Sequence, residues 1–576
     1  MYDFVQHLGF PLKGGNKIEN RLWHKSYGPG VPKSLDYERT TISEALTRSA
    51  KNFPNHIALN YMGKKITYAE LDRLVNSFAR SLQDIGIQEG DKVGVCLPNI
   101  PQVIIANLAI FRIGAVTVQN NPLYTERELA YQLNDSDARI VITLALLIPR
   151  MEKIKPETKI EKIVGCHVHT YLPFPKKQLF PFIKKDMYKK IVPTKDIKVF
   201  NDLIGHYSSA PVKDCSKWDE PGALLYTGGT TGFSKGVMLS HSNLSCNVQQ
   251  LDAWFSDLRP GEDKLVGNLP VFHSAGFTGI QNFIIWQALE NILVPRPEPN
   301  IHIEILKKYR PTILPGVPTI YIGLLANPDF GKLDLSFIKG FFSGAAPLAS
   351  DTIRDLKDCT GAMMCEAYGL TETAPFVTVN PWGGTVKPGT VGVPLPDTDI
   401  RIVDVNDIEK ELPLGEVGEI VIKGPQIMMG YYKNPEETAK VIKDGWVYSG
   451  DIGCFDEDGY LKIVDRKKDM IIAGGYNIYP VELDDVLFDH PKILEACTLG
   501  VHDGYRGETV KAFVVVKKGE TLTEGEIITY CRENLAPYKV PKLIEFIDEL
   551  PKSAVGKVLR RKLKEMEEAR CVKNIA

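Results

Sequence analysis

Short apolar runs alternating with helix-length amphipathic stretches place the first constraint on this chain. From Thr41 to about residue 205 the runs include KVGVCLPN and ARIVITLA, and the same rhythm continues from GALLYTGG to TGAMMCEAYG. Buried parallel strands read as near-continuous apolar segments and need crossover helices between them, so the rhythm predicts α/β layers built from βαβ units around mostly parallel strands. Between Thr390 and Val464 the pattern changes to short β-rich runs, IRIVDV, GEIVIKG and GYLKIVD, broken by Gly, Pro, Asp and Asn. That stretch is expected to form a small β-barrel-like subdomain. After DRKKDM come a helical pattern (VELDDVLFDH), a strand (AFVVVKKG) and another helix (TEGEIITYCRENL). The expected division is therefore a large N-terminal domain, residues 1–465, and a small α+β C-terminal domain, residues 466–576. At 576 residues the chain is too long for one ordinary core, which fits such a division.

Composition excludes some partners. A net charge of −2 argues against nucleic acid as the main ligand. Ten scattered cysteines without CxxC pairs suit a reducing, cytoplasmic location. The first residues, MYDFVQHLGFPLKGG, lack the pattern of a secretory signal, and the longest apolar run, Ile140 to Ile148, is far shorter than a bilayer span. One segment stands apart: Tyr171 to Lys190 carries six lysines against one aspartate, interleaved with aromatic and aliphatic residues. It reads either as a solvated surface loop or as a peripheral contact with the inner face of a membrane. The nearby pair His167 and His169 lacks a third ligand and reads as a surface strand rather than a metal site.

The stretch YTGGTTGFSKG, Tyr226 to Gly236, follows the apolar run GALLY and precedes a helical pattern. Glycines let successive backbone N–H groups turn inward, hydroxyls add donors, and Lys235 adds a point charge. The combination suits phosphates. It differs from the nucleoside-triphosphatase loop, because Ser234 precedes the lysine and Gly236 follows it.

Five further motifs follow in order: SGAAPLA (Ser343 to Ala349), YGLTET (Tyr368 to Thr373), YSGD (Tyr448 to Asp451), DRKKDMIIAGGYNIYPVELD (Asp465 to Asp484) and PKSAVGKVLRRKL (Pro551 to Leu563). The set resembles the adenylate-forming superfamily of acyl-CoA synthetases, aryl-CoA ligases, luciferases and peptide-synthetase adenylation domains. The resemblance covers nearly the whole chain. It implies a reaction in which a carboxylate attacks the α-phosphorus of ATP, pyrophosphate leaves, and coenzyme A then takes the acyl group. By that resemblance Thr227, Gly228, Gly229, Thr230, Thr231 and Lys235 would handle the β- and γ-phosphates, with Ser234 standing where the family usually has proline. Thr371 would contact the α-phosphate, Glu372 and Thr227 would hold Mg²⁺, Tyr368 would stack on adenine, Gly344, Ala345 and Ala346 would let the backbone approach the base, and Gly369 would also belong to the nucleotide site. Asp451 and Arg466 would hold the ribose, and Lys557 would bridge the carboxylate and the α-phosphate. Gly474, Gly475 and Tyr476 would border the pantetheine arm after the C-terminal domain rotates about a hinge at about 465–469 that includes Lys468.

LPVFHSAGFTGI, Leu269 to Ile280, corresponds to the acyl pocket of such ligases, with His273, Phe277 and Gly279 as its expected residues and His273 also in the expected catalytic set. This segment holds no aspartate to pair a substrate ammonium, which points to a simple acid without an α-amine. The resemblance implies a medium- or long-chain fatty acid:CoA ligase. The alternatives are a ligase for benzoate or cyclohexanecarboxylate, possibly run in reverse, and a membrane-attached nucleotide-binding protein without catalysis. A homodimer is a further expectation.

Overall fold

The computed structural model describes residues 21–227, 234–344, 348, 350–473, 476–503, 507–552 and 558–575. The chain divides into two compact units, residues 1–399 with 423–447, and residues 400–422 with 448–576. The expected α/β architecture is present, with parallel strands dominating the larger unit and a small α/β body at the C-terminal end. The expected hinge at 465–469 falls on the turn that follows the strand Leu461–Arg466 in the second unit.

Among the described residues, the first unit holds two large sheets. One has nine strands, with Met363–Gly369, Gly340–Ser343, Ile313–Gly316, Lys264–Gly267 and Glu290–Leu293 in parallel neighbouring register. The other has eight, with Pro221–Thr227 parallel to Val116–Gln119 on one side and antiparallel to Lys235–Ser240 on the other. Helix Pro101–Arg112 is buried at all twelve positions, which its near-unbroken apolar sequence PQVIIANLAIFR requires. Its terminal Arg112 guanidinium lies only 2% exposed, and it donates to Asp72 (2.8 Å), Asn76 (2.9 Å) and Thr47 (3.0 Å), so the buried charge is fully engaged.

Helix His241–Trp254 connects the sheets to the site. A reciprocal cap starts it: the Ser240 hydroxyl accepts from the Asn243 N–H and the Asn243 side chain accepts from the Ser240 N–H, both at 3.0 Å. One turn on, Asn247 clamps Phe376 in the nine-stranded sheet, accepting from its N–H (3.0 Å) and donating to its carbonyl (2.8 Å). The strand that starts at Lys235, through its other end at Ser240, and the strand that carries Phe376 are thereby tied to one helix.

In the second unit, the strands Asp399–Val403, Gly418–Lys423, Trp446–Phe455 and Leu461–Arg466 form the expected β-rich part. A second sheet, centred on Gly507–Val516, packs against the helices Pro480–Phe488 and Glu524–Asn534 through Leu483, Leu487, Val510, Ala512 and Ile527. Among the described residues, no helix is long and apolar enough to cross a membrane.

Candidate active site

The residues after the phosphate-loop motif depart from the expected helical start: Lys235–Ser240 is a strand, and the helix begins only at His241. Thr227 ends Pro221–Thr227 and is the register partner of Lys235 at the start of Lys235–Ser240. Gly228, Gly229, Thr230 and Thr231 lie outside the described residues. Lys235 forms an ion pair with Glu437, and its ammonium also stands over the ring of Tyr431, 4.9 Å from the centroid. The Tyr431 hydroxyl in turn donates to the Glu372 carboxylate at 2.8 Å. Burial and the neighbouring Glu372 charge raise the Tyr431 phenol well above its ordinary value, so it stays a donor. Lys235, Tyr431 and Glu372 thus form one contiguous cluster although Glu437 and Tyr431 come from a segment about 200 residues downstream of Lys235.

Thr371 and Glu372 occupy a single 3-10 turn after Met363–Gly369, the strand that also carries Tyr368 and Gly369. The Glu372 carbonyl accepts the Met428 N–H at 2.9 Å, which fixes this turn against the segment leading to Tyr431. Gly344 follows the neighbouring strand Gly340–Ser343, while Ala345 and Ala346 lie outside the described residues. Between these two strands lies a residue that sequence reasoning missed. Glu366 is the register partner of Ser343; one carboxyl oxygen accepts the Leu348 N–H at 3.4 Å, and the other is buried with no hydrogen-bond partner among the described residues. Burial pushes the Glu366 carboxyl up to about 7.

Near the turn lies a small apolar cavity of about 30 Å³ whose twelve lining residues are all apolar, among them Leu251, Phe255, Gly279, Pro315, Phe342 and Phe376. Gly279 belongs to a π-helical segment, Phe277–Asn282. A Cβ on Gly279 would stand 2.7 Å from the tip of the Phe376 ring, closer than any ordinary carbon contact, so glycine is required by this approach. Phe376 is braced from its far side by Phe342, with ring centroids 5.5 Å apart. Phe277 is fully buried edge-on against Phe111 at 6.0 Å, in the core rather than on the cavity wall. His273 caps the short helix Ser274–Gly276, its Nδ1 accepting the Ala275 N–H at 3.3 Å. Ser274 meets Thr371 hydroxyl to hydroxyl at 3.4 Å, which joins the cavity edge to the expected α-phosphate contact.

In the second unit, Asp451 and Arg466 face each other across neighbouring strands and form an ion pair at 2.9 Å, with Asp451 almost wholly buried. Lys468 is exposed on the following turn, whose first residue, Lys467, pairs with Glu419 at 2.7 Å. Tyr476 begins the strand Tyr476–Ile478; Gly474, Gly475 and Lys557 lie outside the described residues.

This arrangement has known counterparts. Residues 46–432 match the family model described as AMP-binding enzyme, and residues 482–557 match that of the AMP-binding enzyme C-terminal domain. A long-chain-fatty-acid–CoA ligase of Bacillus subtilis is 43% identical, covering 95% of this chain and 98% of the relative. The one from an Escherichia coli strain is 38% identical over the same shares of each chain. Among solved structures, ATP-bound MatB from Rhodopseudomonas palustris superposes with a TM-score of 0.81 at 32% identity, covering 91% of this chain and 98% of that one. A Mycobacterium tuberculosis fatty acyl CoA synthetase gives 0.71 at 27% identity, covering 92% and 99%. With both family models matched in order and relatives aligned along most of its length, the chain belongs to the AMP-binding enzyme family.

Proposed function

We propose that this protein is an ATP-dependent acid:CoA ligase that acts on long-chain fatty acids through an acyl adenylate. The observation that carries the reading is the apolar lining near the turn: its twelve residues offer no polar side chain to an acyl tail, and Ser274, next to the lining residue Ala275, meets Thr371. The names of the relatives favour the same substrate class. In the first step a carboxylate oxygen attacks the α-phosphorus, the bond from that phosphorus to the bridging β-oxygen breaks, and pyrophosphate leaves with the electron pair. In the second step the sulfur of coenzyme A attacks the acyl carbon, the carbon–oxygen bond to AMP breaks, and the thiol proton passes to solvent. Both steps ask for charge neutralisation and alignment rather than a strong base.

In this reading Thr227 and Lys235 hold the outer phosphates, Thr371 orients the α-phosphate, and Asp451 with Arg466 holds the ribose. Lys557 bridges the two reacting anions, and Lys468 carries the hinge. Magnesium takes one or two carboxylates plus substrate phosphates and keeps several waters, so a single carboxylate such as Glu372, steadied by Tyr431, suits it. Bound there, Mg²⁺ would neutralise phosphate charge. The test is ATP-dependent thioester formation across octanoate, palmitate, benzoate and cyclohexanecarboxylate. Preference for palmitate supports the reading, and preference for the ring acids would overturn it.

The Tyr171 to Lys190 segment supports a second element of the proposal, peripheral attachment to an anionic bilayer. Phe174 is 83% exposed, Phe182 74% and Ile183 67%, and all six lysines of the segment are exposed around them. Stacking of His167 on Tyr188 (5.4 Å) and of His169 on Phe180 (5.3 Å) holds the segment to the body. Apolar rings amid lysines match the boundary between acyl chains and anionic headgroups. Co-sedimentation with phosphatidylserine vesicles is expected for the native chain and not for Phe182→Ala/Ile183→Ser; equal pelleting of both would sink it.

A further inference from the structure

Lys235 already has an anion. The segment that supplies it is fixed by local rules: Asn434 accepts the Glu437 N–H at 3.1 Å, and Pro435 occupies the first position of helix Pro435–Val441. Before it, the strand Gly430–Tyr431 runs antiparallel to Lys235–Ser240, with Tyr431 opposite Val237. One Glu437 oxygen meets Lys235 and the other meets Lys440. The side chains of Lys235 and Glu437 are only 21% and 26% exposed, so water competes weakly for the pair.

We propose that Glu437 is a built-in counter-anion that competes with nucleotide phosphates for Lys235. ATP binding exchanges the Lys235–Glu437 pair for a Lys235–phosphate pair, and re-formation of the first pair helps expel pyrophosphate. The proposal rests on the reading of Lys235 as a phosphate ligand. No covalent bond changes in the exchange; one anion replaces another on a single ammonium.

Three features make the exchange feasible. Lys235 is never left as a bare, partly desolvated cation, which would be the costly state. Lys440 stays with Glu437 when Lys235 departs, so the carboxylate is not stranded either. The two lysines together hold the Glu437 carboxyl down to about 2, so it remains an anion at every pH at which the enzyme could work. The competition also has a kinetic use. Affinity for phosphates that is equal in ground and transition states does not raise turnover, and affinity for pyrophosphate slows release.

The test compares ATP binding by calorimetry and pyrophosphate inhibition of thioester formation in the native enzyme, Lys235→Ala, Glu437→Gln and Lys440→Ala. Glu437→Gln is expected to bind ATP and pyrophosphate about fivefold more tightly, the size of a lost, partly exposed ion pair. Lys440→Ala leaves Glu437 wholly to Lys235 and is expected to weaken both ligands, with the KM for the fatty acid unmoved. A purely structural staple would lower the melting temperature without these opposite shifts. Should Glu437→Gln fold poorly, the Lys440→Ala arm decides alone. If Lys235→Ala weakens ATP but the other two variants leave both affinities unchanged, the counter-anion is overturned. If Lys235→Ala leaves ATP binding intact, the phosphate reading of Lys235 falls and the proposal with it.

Discussion

The apolar cavity and the Lys235 corner lie in the same unit and are built on opposite rules. Around the cavity, contacts are fixed by shape: Gly279 is a glycine because the Phe376 ring leaves no room for a Cβ, and Asn247 clamps Phe376 by both backbone groups. Around Lys235 the contacts are ionic and replaceable: Glu437 serves Lys235 and Lys440, and Tyr431 serves Lys235 and Glu372. A hydrocarbon tail offers no directional groups, so only a rigid wall can measure it. A polyphosphate carries its own strong field, so partners that yield to it are enough.

The sharpest way to break this contrast is Lys235→Ala. Removing a charge-assisted contact is expected to cost about 2–3 kcal/mol, or roughly 30- to 150-fold in kcat/KM for ATP, while leaving the ranking of fatty acids unchanged. A changed chain-length ranking in steady-state assays would show that the two regions are not separate. Gly279→Val is the converse. Its side chain overpacks against Phe376, and overpacking costs about 1–3 kcal/mol, so palmitate is expected to lose roughly tenfold more kcat/KM than octanoate, with KM for ATP unmoved. Equal losses for both acids would mean that the wall does not measure length. Smaller still is Tyr431→Phe, which removes one neutral donor to a carboxylate and keeps the ring under Lys235. An increase of about fivefold in the Mg²⁺ concentration needed for half-maximal rate is expected, and no change would separate Tyr431 from Glu372 function.

The same contrast explains what was legible in the sequence. Lys235 stands in a motif whose glycines and hydroxyls suit phosphates, the roles expected of Thr371 and Glu372 come only from the family resemblance of their motif, and the α/β rhythm shows because buried parallel strands must be apolar throughout. Which strands pair is a different matter. Ile57–Tyr61 lies beside Glu290–Leu293, more than 200 residues away, and nothing in either run names its neighbour. Glu437 was hidden for the same reason: Asn434 and Pro435 announce a helix start, but not that its first turn faces Lys235. The π-helical stretch Phe277–Asn282 left no periodic mark, and so Phe277, which looked like pocket, is core.

Two glutamates carry the comparison down to single protons. Glu437, between two ammonium groups, is held down to about 2; Glu366, buried between strands with no cation paired to it among the described residues, is pushed up to about 7 from an ordinary value of 4.5. For Glu366 the folded chain keeps a proton that the unfolded chain has already released at pH 5 to 7. Protons bound in the folded state then exceed those bound in the unfolded state, so stability falls as pH rises through that window and levels off above it. Glutamine at 366 has no proton to lose. Glu366→Gln is therefore expected to melt with the native chain near pH 4.5 and about 2 °C above it at pH 8, the smallest of these effects because unfolding a unit this large spreads each increment over a large entropy. A difference in melting temperature that stays constant from pH 4.5 to 8 would mean that Glu366 is ionised throughout. A cationic group would then have to sit beside it, and Glu366 would belong with the ionic corner rather than with the rigid wall.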